Sequence, residues 1–414
     1  MVHVVFAIPF AMENTLRFAS AVARLPGVKL SVVSQDAAEK FPAEFRQQLD
    51  GFQQVADALQ PDDLTAAIRT LATKLGPAER LLGILEQAQE PLAAVRERLR
   101  IRGMDGPTAR SFRDKAHMKE LFAAHGVPCA RHRLCAEPAQ ALAFAQEVGF
   151  PLVGKPPAGA GAKATARLNT VAELQRFVQQ SRPRPGREVL LEEFVRGREF
   201  SFDSVTLHGQ HVFHNVCVYH PTPLEVMEDP REQWIVVLPR RIDTPEFAAI
   251  HKVGPRALGV LGMWTGMSHM EWFRRDDGSL AVSEVAARPP GAQFMTLMSH
   301  AHDADLYRAF AQLMVFETFT PPPRRYAAGA VYLRAMPRTG AAATAGQRIT
   351  AVTGLEQLRA ELGELVVEQR LPRIGSAPAT SYEGDGIVVV RHPETRVVEE
   401  ALACAARTVR IELG

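Results

Sequence analysis

The chain has 414 residues, 23% of them charged, and a formal net charge of +2. This length predicts two or three packed domains, and the near-neutral charge excludes the basic excess typical of a dedicated nucleic-acid binder. The four cysteines are scattered without a CxxC pair, which indicates neither a disulfide framework nor a zinc site. The amino-terminal segment has no basic leader and no window is apolar enough to span a bilayer, so a cytoplasmic protein without a membrane partner is expected.

Strand-like and helix-like segments alternate over the first hundred residues. Strands are predicted at 2–8, 28–34 and 80–86, a helix is predicted at 13–25, and the stretch 43–75 has a helical period. This alternation predicts a parallel, doubly wound sheet. The turn after the first strand has no glycine-rich fingerprint, so dinucleotide binding of the Rossmann type is not expected.

A compact block with its own strands and helices is predicted after a boundary at 103–109, which is rich in glycine and proline. A helix spans about 114–125, and the segment 151–194 predicts strand, loop, strand, helix and strand. The loop between the first two strands has the sequence AGAGAK (158–163). Such a small, self-contained block can move as a lid.

Two antiparallel hairpins dominate the next part of the chain. The first covers 199–220, a long loop rich in proline and acidic residues follows at 221–233, and a helix is predicted at about 245–262. The second hairpin, 268–285, contains an Asp-Gly turn signal. From 325 onwards the sequence predicts a mixture of strands and helices.

The second hairpin brings two glutamates together. If Asp277 and Gly278 form a two-residue turn, Glu271 lies directly opposite Glu284. Opposed carboxylates have Cβ atoms only about 4.5–5.5 Å apart and repel each other. A shared proton, a nearby base or a divalent metal would neutralise the pair, and Mg²⁺ suits hard oxygen ligands best. An exposed hairpin with both acids in water stays an alternative, because a one-residue slip reverses the side-chain faces.

A second group of residues has the character of a phosphate site. Lys155 ends a predicted strand directly before the loop that contains Gly159 and Gly161, and Lys115 begins a predicted helix. Backbone N–H groups and an ammonium group that converge beside glycines are typical of phosphate binding. A solvated lysine beside a glycine turn is an equally good interpretation of this pattern alone, and neither the GxxxxGK[ST] nor the GxGxxG pattern is present.

The strand EVLLEEFVRGREF adds three carboxylates. Glu192 and Glu193 follow its apolar run, and Glu199 comes seven residues after Glu192. Two lysines, a glycine loop, a glutamate-rich strand end and a glutamate pair thus occur in a fixed order. That order is far more specific than any one of these features.

In this order the sequence resembles the ATP-grasp superfamily, in particular the carboxylate–amine ligases related to biotin carboxylase and to bacterial L-amino-acid (dipeptide) ligases. The resemblance covers essentially the whole chain. It implies a mixed α/β and α+β fold with an N-terminal doubly wound domain, a small lid subdomain and a C-terminal lobe. The corresponding division of the chain is 1–108, 109–198, 199–324 and 325–414.

The resemblance also implies a nucleotide site for ATP. RDKAHMKELFAAHGVP and GFPLVGKPPAGAGAKAT resemble the segments that carry the two phosphate lysines, and EEFVRGREF resembles the adenine hinge. Glu192 would contact the adenine amino group, the backbone of Val195 the ring, and Glu199 the ribose. The full set implied to contact the nucleotide is Lys115, Lys155, Gly159, Gly161, Glu192, Glu193, Val195 and Glu199.

HMEWF and SEVAARPPG resemble the paired magnesium motifs, with Glu271 and Glu284 as ligands and Mn²⁺ as a substitute for Mg²⁺. By the same resemblance Arg288 faces the transferred phosphoryl group or the acceptor carboxylate, as the catalytic residue. One position departs from the family pattern, which commonly has asparagine two residues after the second glutamate, where this chain has Ala286. Either the glutamates, ATP oxygens and water hold a second ion, or one metal site is weak and activity is low or absent.

The implied activity is ATP-dependent formation of an amide or peptide bond through an acyl phosphate, with release of ADP and phosphate. The partners would be a small carboxylate, such as an amino acid, and an amine, and a homodimer is compatible with the sequence. Two other functions stay open: a non-catalytic or weakly active ATP-binding module, and a carboxylating enzyme of the biotin carboxylase type.

Two further patterns have a functional and a structural interpretation. His300, His302 and Asp303 could form a zinc cluster, but two histidines two residues apart on a helix point in different directions. A polar loop or helix cap is therefore favoured. Trp234 could line a substrate pocket or fill the core, and the core is favoured.

Overall fold

The computed structural model describes residues 1–159, 165–229, 231–337 and 346–414. The strands are β1 (Val2–Ala7), β2 (Val28–Ser34), β3 (Gly51–Gln54), β4 (Arg80–Leu82), β5 (His132–Cys135), β6 (Leu152–Lys155), β7 (Ala166–Leu168), β8 (Val189–Glu193), β9 (Gly197–Leu207), β10 (Gln210–His220), β11 (Trp234–Leu238), β12 (Gly266–Arg275), β13 (Leu280–Ala286), β14 (Ala327–Leu333), β15 (Ala335–Pro337), β16 (Ile349–Thr353), β17 (Val366–Arg370), β18 (Gly386–His392) and β19 (Arg410–Leu413).

The α-helices are α1 (Glu13–Ala23), α2 (Ala43–Arg46), α3 (Pro61–Leu75), α4 (Gln89–Leu99), α5 (Gly106–Arg113), α6 (Lys115–Ala124), α7 (Pro138–Val148), α8 (Val171–Ser181), α9 (Pro223–Glu228), α10 (Ala248–Val260), α11 (Phe294–His302), α12 (Leu306–Phe316), α13 (Leu355–Leu362) and α14 (Thr395–Thr408). Short 3₁₀ helices cover Ala38–Lys40, Glu86–Ala88 and Gly363–Leu365. In the part of the chain that the structure describes, no helix combines the length and the apolar character needed to cross a membrane.

The amino-terminal sheet is parallel and has the strand order β3-β2-β1-β4. The apolar run of β1 is fully buried because helices cover both faces of the sheet. Phe18 of α1 packs with one face, and Leu64 of α3 and Leu92 of α4 pack with the other. The predicted doubly wound domain is therefore confirmed.

The helical period predicted for 43–75 is wrong in its middle part. The strand β3 (Gly51–Gln54) separates two helices there and extends the parallel sheet beside β2. Asp50 holds the chain in place, because its carboxylate accepts the N–H of Leu30 at 2.8 Å and its own N–H donates to the Leu30 carbonyl at 2.8 Å. These contacts with another strand override the local period. The strand predicted at 80–86 is also shorter than expected and ends at Leu82.

The predicted lid block folds around an antiparallel sheet with the order β5-β8-β6-β7. The helices α7 and α8 pack together on it through a separate apolar cluster that includes Phe144, Leu174 and Leu191. Thr170 caps α8, since its hydroxyl accepts the N–H of Glu173. The block therefore has its own small core.

The largest sheet has eight antiparallel strands in the order β13-β12-β9-β10-β11-β14-β18-β17. Both predicted hairpins lie in it, and its last three strands come from beyond residue 325. The loop predicted at 221–233 contains the short helix α9. A separate three-stranded sheet, in the order β15-β19-β16, contains the last strand of the chain. The four-part division of the chain proposed from the sequence stays a prediction.

The two faces of this large sheet differ in polarity, and the difference positions the site. Phe200, Phe202 and Trp272 belong to one face and form an apolar cluster with α6 and α10. The other face presents polar side chains from β9, β10, β12 and β13 toward the lid. Strand alternation alone produces this division.

Candidate active site

A cavity of about 400 Å³ lies between the lid sheet, the hairpin β12–β13 and the hinge from β8 to β9. Every candidate site residue predicted from the sequence lines it, except Gly161, which lies outside the described residues. The residues brought together are Lys115, Lys155, Gly159, Glu192, Glu193, Val195, Glu199, Glu271, Glu284 and Arg288. Their individual roles stay predictions, but their shared location is a property of the fold.

Glu271 lies directly opposite Glu284, as the register argument predicted. The predicted turn is nevertheless wrong, because Arg275 pairs with Ser279 across a three-residue loop that ends in Gly278 with φ +83°. A β-bulge compensates for the extra loop residue. Pairing shifts between Glu271 and Trp272, so Ser283 of β13 has no partner on β12. The bulge restores the register and turns Glu284 toward the cavity.

Two side-chain cations neutralise the carboxylate pair. The ammonium group of Lys115 lies 3.1 Å from Glu284 Oε2, and His269 Nε2 lies 3.6 Å from Glu271 Oε1. Burial disfavours the charged form of Glu284, but Lys115 and Lys155 outweigh it and lower the pKa of this carboxyl to about 2. The repulsion between the two carboxylates, which suggested a metal, is therefore relieved by side chains of the protein itself. Whether a metal binds depends on the ligand oxygens that the site offers.

His269 and Asp203 are site residues that sequence reasoning missed. They face each other across β12 and β9, and His269 Nδ1 lies 2.5 Å from Asp203 Oδ1. Burial disfavours the protonated ring, but Asp203 and Glu271 outweigh it and raise the pKa of His269 to about 9. Ser201 also donates to Asp203, at 2.7 Å. His269 and Glu271 are two residues apart in β12 and therefore lie on the same face of the strand. This alternation was the sequence signal that could have identified His269 as a site residue.

Lys155 and Glu192 pair at the strand ends of the lid, with 3.0 Å between Lys155 Nζ and Glu192 Oε1. A third residue, Lys119, was missed although it lies one helical turn after Lys115 on α6. It is fully buried, 3.4 Å from Glu192 Oε1, and donates to the carbonyl of Ser283 at 2.8 Å. That carbonyl belongs to the bulge residue. Burial lowers the pKa of Lys119. The carboxylate of Glu192 is thus the ion-pair partner of two buried lysines.

The hinge from β8 to β9 contributes Val195 and two further glutamates. Glu193 accepts hydrogen bonds from Arg131 at 2.7 Å and from Arg275 at 2.6 Å, which ties the lid to the hairpin β12–β13. Glu199 is buried, and among the residues that the structure describes none forms an ion pair with it. Burial and the neighbouring charges of Glu271 and Glu284 raise its pKa well above the ordinary range. Glu193 is thus engaged by arginines, whereas Glu199 faces the cavity.

The glycine loop meets the cations through a carbonyl. The carbonyl oxygen of Gly159 accepts from Lys115 Nζ at 2.9 Å and from Arg113 Nη1 at 3.1 Å. The loop had been predicted to offer N–H groups to phosphate. At Gly159 the described hydrogen bonds instead connect the lid with α5 and α6.

Arg288 lies at the far side of the glutamate pair and is largely buried. Its guanidinium donates to Glu86 Oε2 from Nη2 at 2.9 Å and from Nε at 3.3 Å, and to the carbonyl of Pro289 at 3.0 Å. Glu86 was not predicted, because 202 positions separate it from Arg288 and no local pattern marks it. Ala286 pairs with His269 across β13 and β12, so the position that commonly holds asparagine belongs to the same site.

Part of the cavity wall is aromatic. Trp234 is 2% exposed and packs edge-on against Tyr219 and Tyr382, with ring centroids 5.5 and 4.8 Å apart. Phe294 lies 5.9 Å from Trp234, again between ring centroids. All four rings line the cavity. Trp234 is therefore both a core residue, as favoured, and part of the pocket wall.

The histidines of MSHAHDAD do not form a zinc cluster. His302 is buried, with Nε2 3.0 Å from Asn215 Oδ1 and Nδ1 3.0 Å from the carbonyl of Pro322. Asp303 is at the C-terminal cap of α11. Across the described ranges, no group of three or more histidine, cysteine, aspartate or glutamate side chains is arranged to hold a metal ion. The structural interpretation of this motif is the correct one.

The fold and this arrangement of residues define a protein class. The family model of the ATP-grasp domain matches residues 120–302. Those residues form an ATP-grasp domain, and the chain as a whole has the ATP-grasp fold that the resemblance implied.

Particular relatives agree with this assignment. An L-amino acid ligase from Bacillus licheniformis has a similar structure, with a TM-score of 0.78 and 16% identity over 99% of this chain and 98% of that chain. The biotin carboxylase domain of a Hydrogenobacter thermophilus 2-oxoglutarate carboxylase, solved with MgADP and bicarbonate, gives a TM-score of 0.68 and 16% identity over 99% and 90% of the two chains.

Sequence comparison gives curated relatives that match only part of this chain. The L-arginine-specific L-amino acid ligase of Bacillus subtilis is 21% identical over 248 residues, which cover 59% of this chain and 59% of the relative. The chain spans between half and three fifths of the length of the first curated relatives that it matches. At these identities the solved structures establish the fold, and the activity of the chain is a separate question.

Proposed function

We propose that the protein is an ATP-dependent carboxylate–amine ligase, which forms an amide or peptide bond and releases ADP and phosphate. The observation that carries this proposal is the convergence in one cavity of Lys115, Lys155, a carboxylate pair and Arg288. Phosphoryl transfer depends on positioning and charge neutralisation more than on covalent help from the protein. This cavity offers cations for phosphates and oxygen donors for a divalent ion.

The donor set fits Mg²⁺. Glu271 and Glu284 present hard oxygen ligands from opposed positions on β12 and β13, and Mg²⁺ usually completes its coordination with water and substrate phosphate oxygens. When bound, it would neutralise charge on the phosphates of ATP. Ala286 offers no ligand oxygen, so the glutamates are the only protein donors that we assign to the metal.

In the first step, a carboxylate oxygen of the substrate forms a bond to the γ-phosphorus of ATP, and the bond to the β-phosphate oxygen breaks to release ADP. Lys115 and Lys155, which pair with Glu284 and Glu192, would contact the phosphates. Arg288 would orient the carboxylate, because guanidinium groups bind carboxylates and phosphates through two parallel hydrogen bonds.

In the second step, the amine nitrogen forms a bond to the acyl carbon and the bond from that carbon to the phosphate oxygen breaks. The nitrogen loses a proton, which the released phosphate takes up. Acyl phosphates hydrolyse in water, so closure of the lid over the cavity would protect the intermediate. The aromatic part of the cavity wall favours an acid substrate with an apolar side chain. It consists of Tyr219, Trp234, Phe294 and Tyr382. Amino acids of this type are the substrates that we propose.

The test is Mg²⁺-dependent phosphate release with a panel of amino acids offered as acid and as amine, with product detected by mass spectrometry. Glu284→Gln should lower kcat at least 100-fold by the usual effect of losing electrostatic stabilisation at a reacting phosphoryl group. Glu246→Gln is the matched control, because Glu246 pairs with Arg198 and Arg274 near the hairpin tip. Full activity of Glu284→Gln would refute the metal assignment.

Two other functions have supporting observations. The missing amide ligand at Ala286 favours a non-catalytic ATP-binding module, for which ATP would bind without any turnover across the panel. The similarity to a biotin carboxylase domain favours a carboxylating enzyme, for which bicarbonate alone would stimulate ATP hydrolysis. The same assay therefore separates the three functions.

A further inference from the structure

The amino-terminal sheet contributes a buried carboxylate to the site. Glu86 follows β4 in a short 3₁₀ helix and is 6% exposed. Because β4 is parallel to β1, its carboxyl end lies at the edge of the sheet where α/β folds usually place functional residues. Glu86 extends from this edge behind the cavity that holds the candidate phosphate residues.

Three cations surround this one carboxylate, two from the junction of α5 and α6 and one from the segment after β13. Arg113 Nη1 donates to Glu86 Oε1 at 2.9 Å, and Lys115 Nζ lies 3.9 Å from the same oxygen. Arg288 donates to Glu86 Oε2 from Nη2 and from Nε. A carboxylate carries a single negative charge, so three cations exceed what charge neutralisation alone requires. Lys115 and Arg288 also line the cavity.

The hydrogen bonds of Arg288 determine which of its donors remain available. A guanidinium group carries five N–H donors in a rigid plane. The described bonds from Nε and Nη2 to Glu86, and from Nη1 to Pro289, use three of them. The two that remain belong to Nη1 and Nη2, which together form the end of the plane. This end can bind a carboxylate or phosphate through two parallel hydrogen bonds.

We propose that Glu86 is a positioning residue for Arg288, which fixes the guanidinium plane so that its free end faces the reacting carboxylate or phosphoryl group. Through Glu86, the amino-terminal sheet takes part in the reaction without touching the substrate. The inference rests on the proposed ligase function for its kinetic consequence, whereas the fixed orientation of Arg288 can be tested without turnover.

A second carboxylate provides the comparison that separates positioning from simple stabilisation. Glu317 follows α12 and also connects to the amino-terminal part of the chain, 3.7 Å from Arg80 and 3.0 Å from Arg102. It accepts from His208 as well, at 2.9 Å. Glu317 has the same kind of ion pairs as Glu86, but its partners Arg80, Arg102 and His208 do not line the cavity, whereas Lys115 and Arg288 do. Loss of Glu317 should affect stability alone.

The kinetic experiment is a double-mutant cycle between Glu86 and Arg288. Glu86→Gln should lower kcat by about 10- to 100-fold, which is typical for the loss of a residue that orients a functional group, while the KM for ATP changes less than threefold. In an Arg288→Lys background the same substitution should change kcat less than threefold, because the oriented group is already gone. Glu317→Gln should leave kcat unchanged in both backgrounds. Equal effects of Glu86→Gln in both backgrounds, or an unchanged kcat, would overturn the inference.

A spectroscopic experiment covers the case of an inactive protein. In arginine-labelled protein, the Nε–H signal of Arg288, identified by its absence in Arg288→Lys, should be resolved in the wild type and in Glu317→Gln. It should broaden or shift to the free-arginine position in Glu86→Gln and in Glu86→Asp, which keeps the charge but shortens the reach. An unchanged signal in Glu86→Asp would refute positioning. Failure of every amino-acid pair to give product would instead refute the proposed function, with the signal still deciding the inference.

Discussion

Lys115 and a divalent cation compete for the same carboxylate, and replacement of Lys115 by methionine tests this directly. The ammonium group of Lys115 lies 3.1 Å from Glu284 Oε2. A metal that binds Glu284 must displace it. We therefore expect Lys115→Met to bind Mn²⁺ more tightly than the wild type when ATP is absent, although it should bind ATP more weakly.

The size of the effect follows from the electrostatics of Glu284. Its pKa lies at about 2 rather than 4.5, and this difference corresponds to about 3 kcal/mol in favour of the charged form. Lys115 and Lys155 share most of the favourable contribution. If Lys115 supplies about half of it, its removal should tighten Mn²⁺ binding by about 10-fold.

Electron paramagnetic resonance of free Mn²⁺ gives the dissociation constant without nucleotide or turnover. Glu284→Gln should abolish the binding, and the exposed Lys252→Met should leave it unchanged. Equal or weaker Mn²⁺ binding by Lys115→Met would show that Lys115 does not compete with the metal. Lys115 would then not be the group that neutralises Glu284 in the carboxylate pair.

Two further predictions concern buried titratable groups and use the stability of the fold as the readout. Glu192→Gln removes the ion-pair partner of two buried lysines and should lower the free energy of unfolding by about 3–5 kcal/mol. Lys119→Met leaves Glu192 paired with Lys155 and should lower it by less than half as much. Thermal unfolding measures both effects. Burial lowers the pKa of His211 to about 4 and that of His214 to about 3. As the pH drops below about 6.5, the unfolded chain therefore binds protons at these histidines before the folded chain does. The free energy of unfolding should fall as the pH drops from about 6.5 toward 4. His214→Gln should reduce this loss of Tm between pH 7 and pH 4.5, and the exposed His125→Gln should not; an identical loss in both variants would contradict the assignment.

The sequence contained enough information to predict the order of the site residues and their shared location. Lys155, Glu192 and Glu271 each lie at a strand position that local alternation and turn signals identify. The pairing of Glu271 with Glu284 was predicted correctly for an incomplete reason. A three-residue turn and a bulge each shift the register by one, and the two shifts cancel. Local propensity does not reveal such a pair of irregularities.

The residues that sequence reasoning missed all act through distant contacts. Glu86 meets Arg288 across 202 positions, Lys119 meets the Ser283 carbonyl across 164, and His269 meets Asp203 across 66. Glu86 stands out neither by type nor by spacing, and the spacing of Lys119 from Lys115 and of His269 from Glu271 does not reveal their partners. They become visible only when the sheets and helices are assembled, because buried polar groups require partners wherever the fold places them.

The strand order of the eight-stranded sheet bears on how the protein can be divided for experiments. The segment that matches the ATP-grasp family ends at residue 302, yet β11 pairs with β14, which begins at Ala327. A fragment cut at the family boundary would leave Trp234 to Leu238 as an open sheet edge, with its backbone hydrogen-bonding groups available to other chains. It would also lack Glu86 and therefore the partner of Arg288. Expression of the matched segment alone should give an aggregating product, and crystallisation or screening should begin from the whole chain.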